Sequence, residues 1–321
     1  MPFVTARFEF GLPFGITMLG DDASTSYTLQ KDEYKVKIYP PTRWDKENEK
    51  YCWNSDSNRP IGGFNNQPFW LADHILIDVG LEVNSYALTQ EDADGFRDIA
   101  NEFLLKILRT CRWRTRQGNI DINQLPGSYS VHYYDDKGNI MRNGVANIAG
   151  VMVVHATIGL PHLDKDTWGT ICEDIVKRSE PELWEELLID ARDVFLKHPR
   201  RAIIDAGSAC EVFIEAFCNK LADSLSVDKE VYNQLAPRNR TFPEYFHIVM
   251  RYLVRRSLKD EQPDVYKEID GLYRAMNSVR HEGLCQYKTE RGKIVYVGTQ
   301  ETGRMINAAE SAIKWASSLS T

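Results

Sequence analysis

Apolar residues recur with period two before about residue 160 and with the period of a helix after it. Tyr34, Val36 and Ile38 alternate with Lys35 and Lys37, the spacing of a half-buried strand, and Pro40-Pro41 ends it. Ala72 to Val79 reads as a central strand. Ser128 to Tyr134 and the residues from Asn139 onward read as a hairpin turning at Asp135-Asp136-Lys137-Gly138. Val151 to Ile158 reads as a last buried strand, closed by Gly159-Leu160-Pro161, and the Asn-, Ser- and Gly-rich stretch Arg43 to Pro68 as loop. One helix interrupts this pattern: Thr89 and Asp92 have the spacing of a capping box, and the stripe Phe96, Ile99, Phe103, Ile107 and Leu108 follows.

From about Asp164 the spacing predicts helices over 165–178, 181–198, 201–224, 243–257, 264–281 and 303–318, with a short hairpin from Cys285 to Val297. Pro181 suits a first helical turn, where its missing donor costs nothing, and Pro199, Pro243 and Pro263 punctuate later starts. The expected architecture is α+β: a β-rich domain with one helix over residues 1–162, then an all-α domain over 163–321. The length of 321 residues fits this, at about 150 residues per domain.

Composition narrows the function classes. Hydrophobic residues make up 43% and charged residues 26%, ordinary for a globular chain. The apolar runs fall far short of the roughly 20 residues of a membrane span, so no membrane partner is expected. The N-terminal MPFVTARFEF lacks a basic flank before an apolar core, so a secretory leader is not expected either. Six scattered cysteines with no C-x-x-C pair read as reduced, buried thiols in a cytoplasmic protein. A net charge of −7 gives no global attraction to nucleic acid and leaves that role to local patches.

The segment DGLYRAMNSVRHEG, Asp270 to Gly283, carries the most chemistry. At roughly 100° per residue, Arg274, Asn277 and His281 fall within about 60° of one another, flanked by Asp270 and Ser278. Leu272, Met276 and Val279 cluster on the opposite, core side. From spacing alone the bland reading, a solvated polar face with His281 complementing the helix dipole, is the favoured one.

An Arg, four to six residues and then a His near the end of a long helix resembles the HEPN superfamily (higher eukaryotes and prokaryotes nucleotide-binding). Here Arg274 and His281 enclose six residues, and Asn277 matches the polar residue that often stands four before the His. The earlier stretch RRAIIDAGSACEVFIEAFCNKLAD, with Ala206, Ala209 and Ala216 at close-packing positions, resembles the family's early helix, and Arg304 to Leu319 its closing helix. The resemblance covers about 180–319. In many active members the Arg directly precedes the polar residue; in this chain that place holds Met276, and the Arg stands two positions earlier.

The resemblance implies metal-independent RNA cleavage, without a cofactor, at a composite site built by two subunits of a homodimer. His281 would act as general base or acid on the ribose 2′-hydroxyl and the leaving oxygen. Arg274 would stabilise charge on the phosphate, and Asn277 would orient the His or the phosphate. The need for a 2′-hydroxyl makes RNA the substrate. A toxin or phage-defence role is implied by the resemblance alone. The alternative keeps the fold without catalysis, as a dimerising or nucleotide- or RNA-binding module of a larger assembly, and Met276 favours it. For the N-terminal domain the architecture suggests a sensing role, with a ligand or partner of its own.

A second candidate surface is RTCRWRTRQ, where Arg109, Arg112, Arg114 and Arg116 surround Trp113 past a helix. Arginines for phosphates and an aromatic for base stacking suit single-stranded nucleic acid. A basic helix end with Trp113 packed on the sheet is the favoured reading from sequence. Arg251, Arg255 and Arg256 form another basic strip, which also reads as a solvated or ion-paired face. His74, His132 and His155 lack the spacing of metal ligands, so no metal is expected. Gly62-Gly63 is not followed by the Lys-Ser/Thr of a phosphate loop. Glu211 and Glu215 are candidates to pair with Arg274 or Arg280.

Overall fold

The computed structural model describes residues 1–19, 25–45, 50–52, 62–64, 67–117, 120, 122, 128–146, 163–237, 240–289 and 292–319. The strand expected from Val151 to Ile158, its closing Gly159-Leu160-Pro161 and His155 lie outside them. The fold is α+β, and the chain divides into two compact units, Met1–Glu180 and Pro181–Thr321.

The first unit is an antiparallel sheet backed by two helices. Its strands are β1 (Phe3–Leu19), β2 (Tyr27–Lys31), β3 (Tyr34–Ile38), β4 (Arg43–Asp45), β5 (Lys50–Cys52), β6 (Gly62–Phe64), β7 (Gln67–Glu82), β8 (Ser128–Tyr134) and β9 (Ile140–Ala146). The main sheet runs β2-β3-β7-β1-β8-β9, with β6 also paired to β7, while β4 and β5 form a separate ribbon. Strand alternation sorts the two faces. Ala6, Phe8 and Phe10 on β1 stand opposite Val79, Ile77 and Ile75 on β7 and opposite Tyr133, Val131 and Tyr129 on β8. This inner layer packs on α1 (Gln90–Thr115) through Phe96, Ala100, Phe103, Leu104 and Ile107, all buried. The capping box expected at Thr89 is present, with the Asp92 backbone N–H donating to the Thr89 side chain.

Three sequence expectations change here. The stretch read as loop from Arg43 to Pro68 contains β4, β5 and β6. Among the described residues the first unit holds two helices, because α2 (Lys165–Lys177) buries Trp168, Ile171, Cys172 and Ile175 in the same apolar cluster as the sheet. Accordingly the compact unit ends at Glu180, although the spacing turns helical near 162. Periodicity reports local conformation; the domain boundary follows from which core the apolar stripe enters.

The second unit is helical: α3 (Leu183–Val194), α4 (Pro199–Ser224), α5 (Lys229–Leu235), α6 (Phe242–Glu244), a π-turn (Tyr245–Val249), α7 (Met250–Val254), α8 (Leu258–Glu261), α9 (Pro263–Glu282) and α10 (Thr299–Ser317). A ribbon of β10 (Gln286–Lys288) and β11 (Ile294–Tyr296) joins α9 to α10, as the expected hairpin. Small buried residues bring the long helices together: Ala202, Ala206 and Ala209 on α4, Ala275 on α9, and Ala309 and Ala312 on α10. Ala216, expected at a close-packing position, is exposed. Gly207 sets the α4–α9 approach, since a Cβ there would lie 2.4 Å from the Met276 sulfur.

Asp205 on α4 is strained electrostatically. Its Oδ2 is buried without a hydrogen bond, 3.5 Å from Arg201 Nε. Burial pushes its carboxyl above the ordinary range, Arg201 opposes this, and Asp190 adds to it. Folding therefore favours the protonated form, and stability falls as pH rises through the unfolded value of about 3.9. Asp205→Asn is expected to raise unfolding stability at pH 7 by roughly 1 kcal/mol, with the gain shrinking toward about pH 4. Urea denaturation at the two pH values measures this, and a loss at pH 7 would mean that the Arg201 pair outweighs burial.

Candidate functional site

The strip read from the sequence forms on α9. Pro263 opens the helix with its ring in the first turn, and Gly283, at φ 68°, ends it in the left-handed conformation. The Gly283 N–H donates to the Val279 carbonyl at 3.1 Å, which fixes the last turn that carries Arg280 and His281. Ile269, Leu272, Ala275, Met276 and Val279 are buried. Asp270, Arg274, Asn277 and Ser278 are half-buried on the other side, and His281 is exposed. The helix thus brings Arg274, Asn277 and His281 together along one solvent-facing strip, with Met276 turned into the core.

Partners differentiate the three. Arg274 Nε donates to Asp270 Oδ2 at 2.7 Å, one turn back, and its Nη1 reaches the Lys288 carbonyl on β10 at 3.5 Å. The guanidinium is therefore oriented along the strip between α9 and the β10–β11 ribbon. Tyr287 stands in the same neighbourhood, and burial, with Glu268 and Asp270 adding to it, pushes its phenol up. No hydrogen bond ties the side chains of Asn277 or His281 among the described residues, which leaves both available to an outside group. Arg280 turns away to α4, donating to Ser208 Oγ at 2.9 Å and lying 3.3 Å from Glu211 Oε2. Of the two glutamates considered, Glu211 has a partner in Arg280; Glu215 is exposed.

No protein-family model matches this chain, and neither a curated protein nor a solved structure matches it.

The arginine-rich end of α1 is organised differently from the strip. Arg114 makes a two-pronged contact with Asp174 on α2, at 2.6 and 2.8 Å, and Asp174 is 7% exposed. The Arg114 guanidinium also lies 3.8 Å from the Trp113 ring centre. The pair with Asp174 thereby ties Arg114 to α2. Arg112 and Trp113 are half-buried, Arg116 is the left-handed cap residue of α1 at φ 49°, and Arg109 is exposed. Charge reversal at Arg114 would leave Asp174 without its partner, so this residue cannot serve as a clean probe of nucleic-acid affinity.

The outer face of the sheet holds a polar network that the sequence reading did not single out. Arg7 donates to both oxygens of Asp78 at 2.7 and 2.8 Å, and the Tyr39 hydroxyl donates to Asp78 at 2.7 Å. The Asp78 hydrogen bonds hold the Arg7 guanidinium firmly charged. The available signal was a charged residue at odd positions of β1, Arg7 and Glu9, between the even apolar ones. Beside it Ser130 donates to Glu9 at 2.7 Å, and His132 Nε2 lies 3.8 Å from Glu9. His74 Nδ1 sits 2.6 Å from Asp73. Among the described residues no group of three His, Cys, Asp or Glu side chains could hold a metal. Cys111, Cys172, Cys210 and Cys218 are buried, and burial pushes their thiols up, away from nucleophilic use. No helix among the described residues is long and apolar enough to cross a membrane.

Proposed function

We propose that the helical unit is a HEPN-like, metal-independent endoribonuclease that acts as a homodimer, with Arg274, Asn277 and His281 as its catalytic group. The observation that carries this reading is the strip itself: a guanidinium, a carboxamide and an imidazole in register along the solvent side of one long helix. An imidazole can take the proton of a ribose 2′-hydroxyl and return one to the leaving oxygen. A guanidinium held in place by Asp270 can meet the charge that gathers on the phosphate. One strip offers a single imidazole, whereas base and acid roles on opposite sides of a phosphate ask for two, which a second copy supplies. Toxin or phage-defence use is part of the same proposal.

A second reading has a specific observation in its favour. With Met276 buried beside Gly207, the helix lacks the Arg that many active members of the resembled family carry next to the polar residue. A dimerising or RNA-binding module without catalysis would tolerate this. Incubating the full chain with a labelled RNA in a chelator separates the two. Cleavage is expected to persist in the chelator, and cleavage that depends on added magnesium would contradict the proposal. Light scattering at micromolar concentration is expected to give twice the 36.9 kDa chain mass; a monomer would remove the composite site.

A further inference from the structure

The segment from Tyr245 to Arg256 buries its residues with a period of four. Tyr245 and Phe246, then Val249 and Met250, are buried, and Leu253 and Val254 are half-buried. Ile248, Arg251, Tyr252, Arg255 and Arg256 are exposed between them. A regular α-helix repeats at 3.6 residues, so a four-residue repeat drifts around it; the π-turn from Tyr245 to Val249 widens the helix over its first turn and offsets that drift between Tyr245-Phe246 and Val249-Met250. The consequence is that Ile248 and Arg251-Tyr252 share the solvent-facing side of the helix, and Arg255-Arg256 follow just past its end.

The members of this stripe are not equally available. Arg256 is taken, donating to Glu261 at 2.7 and 2.6 Å, and Glu261 also accepts from the Trp315 indole. Arg251 is 62% exposed in its side chain, with one long ion pair, 3.6 Å, to the half-exposed Asp260. Arg255 has no side-chain partner among the described residues, and its left-handed backbone, φ 61°, turns it off the end of α7. Tyr252 lies between the two cations and is 44% exposed. Next to the stripe, Lys259 stands 5.6 Å from the Tyr266 ring centre and His247 packs edge-on to the same ring. Burial, Lys259 and Arg251 hold the His247 imidazole below its ordinary range, with Asp260 opposing. The positive charge here comes from the arginines and Lys259, and Asp260 and Glu261 offset part of it.

We infer that the stripe of Arg251, Tyr252 and Arg255 binds the backbone and bases of single-stranded RNA, the arginines meeting successive phosphates and Tyr252 stacking on a base. This rests on the ribonuclease reading for its choice of RNA. The chemistry follows from the side chains: two cations that have, among the described residues, little or no internal pairing flank an exposed ring with no aromatic partner among those residues. It also places a nucleic-acid surface on the helical unit that carries the proposed catalytic strip, whereas at the end of α1 Arg114 is held by Asp174.

A fluorescein-labelled uridylate oligonucleotide and the full chain test the inference by anisotropy across about 50 to 200 mM salt. Arg251→Glu with Arg255→Glu is expected to lower the log–log salt slope by about 1.4, since each phosphate contact on a single strand contributes about 0.7. Tyr252→Ala should weaken binding about 5- to 100-fold, while Tyr252→Phe keeps the ring and stays within about two-fold of wild type. The inference is overturned if the wild type does not bind the probe, or if slope and affinity are unchanged in the stripe variants with circular dichroism intact. Stripe-dependent binding by a wild type that cuts no RNA would remove the ribonuclease reading and leave the stripe. Cleavage that requires His281 but ignores the stripe would do the reverse.

Discussion

His281→Ala is expected to lower RNA cleavage by about 100- to 10,000-fold, the range that a positioned general acid or base contributes. The fold should not change, because the imidazole is exposed at the last turn of α9 and hydrogen-bonds to nothing among the described residues. Exposed substitutions of this kind usually shift stability by less than about 0.5 kcal/mol. Arg274→Lys should be severely impaired as well. The guanidinium is oriented by Asp270 at 2.7 Å, and a lysine offers a point charge without the planar fork that grips two phosphate oxygens. A single-turnover assay of the two variants against wild type, with circular dichroism as the folding control, measures both. Cleavage undiminished in His281→Ala would remove the site from α9.

The second large effect is on stability. Met276→Arg places an arginine where the resembled family often has one, yet the side chain at 276 is fully buried and presses on Gly207. An unpaired cation there would be desolvated and overpacked, so the variant should lose roughly 4 kcal/mol or more, enough to unfold a marginal helical unit. Urea denaturation of the full chain, followed by helical circular dichroism, reads this directly. A variant that folds as stably as wild type and cuts RNA faster would mean that position 276 faces the site and that α9 is rotated.

The strip on α9 was legible because a long amphipathic helix with a Pro start and a Gly stop advertises its own phase. Once Leu272, Met276 and Val279 fixed the buried side, Arg274, Asn277 and His281 could only lie opposite. The α+β class followed from the change of period. β1 was not legible: Val4, Ala6, Phe8 and Phe10 alternate cleanly, but Gly11, Pro13 and Gly15 interrupt them, and the register shifts between Gly11 and Ile16. Such an irregularity is compatible with a strand, though a linear pattern reads it as an end. α5 and α8, at 7 and 4 residues, are too short to show a period. The engagement of Arg114 by Asp174 links residues 60 apart, which local spacing cannot reveal. The exposed stripe beyond Tyr245 depends on a π-turn, and its arginines read from sequence as any solvated face.

Product-end analysis of a labelled RNA cut in the presence of a chelator tests the central claim most directly. If His281 draws the proton from the ribose 2′-hydroxyl, that oxygen attacks the adjacent phosphorus, and the upstream fragment must end in a 2′,3′-cyclic phosphate with a 5′-hydroxyl on the downstream one. An RNA carrying a 2′-deoxy sugar at the cut position should resist. Fragments ending in a 3′-hydroxyl and a 5′-phosphate, or a 2′-deoxy position cut as readily as the ribose, would contradict the assignment of Arg274, Asn277 and His281 as a metal-independent ribonuclease site.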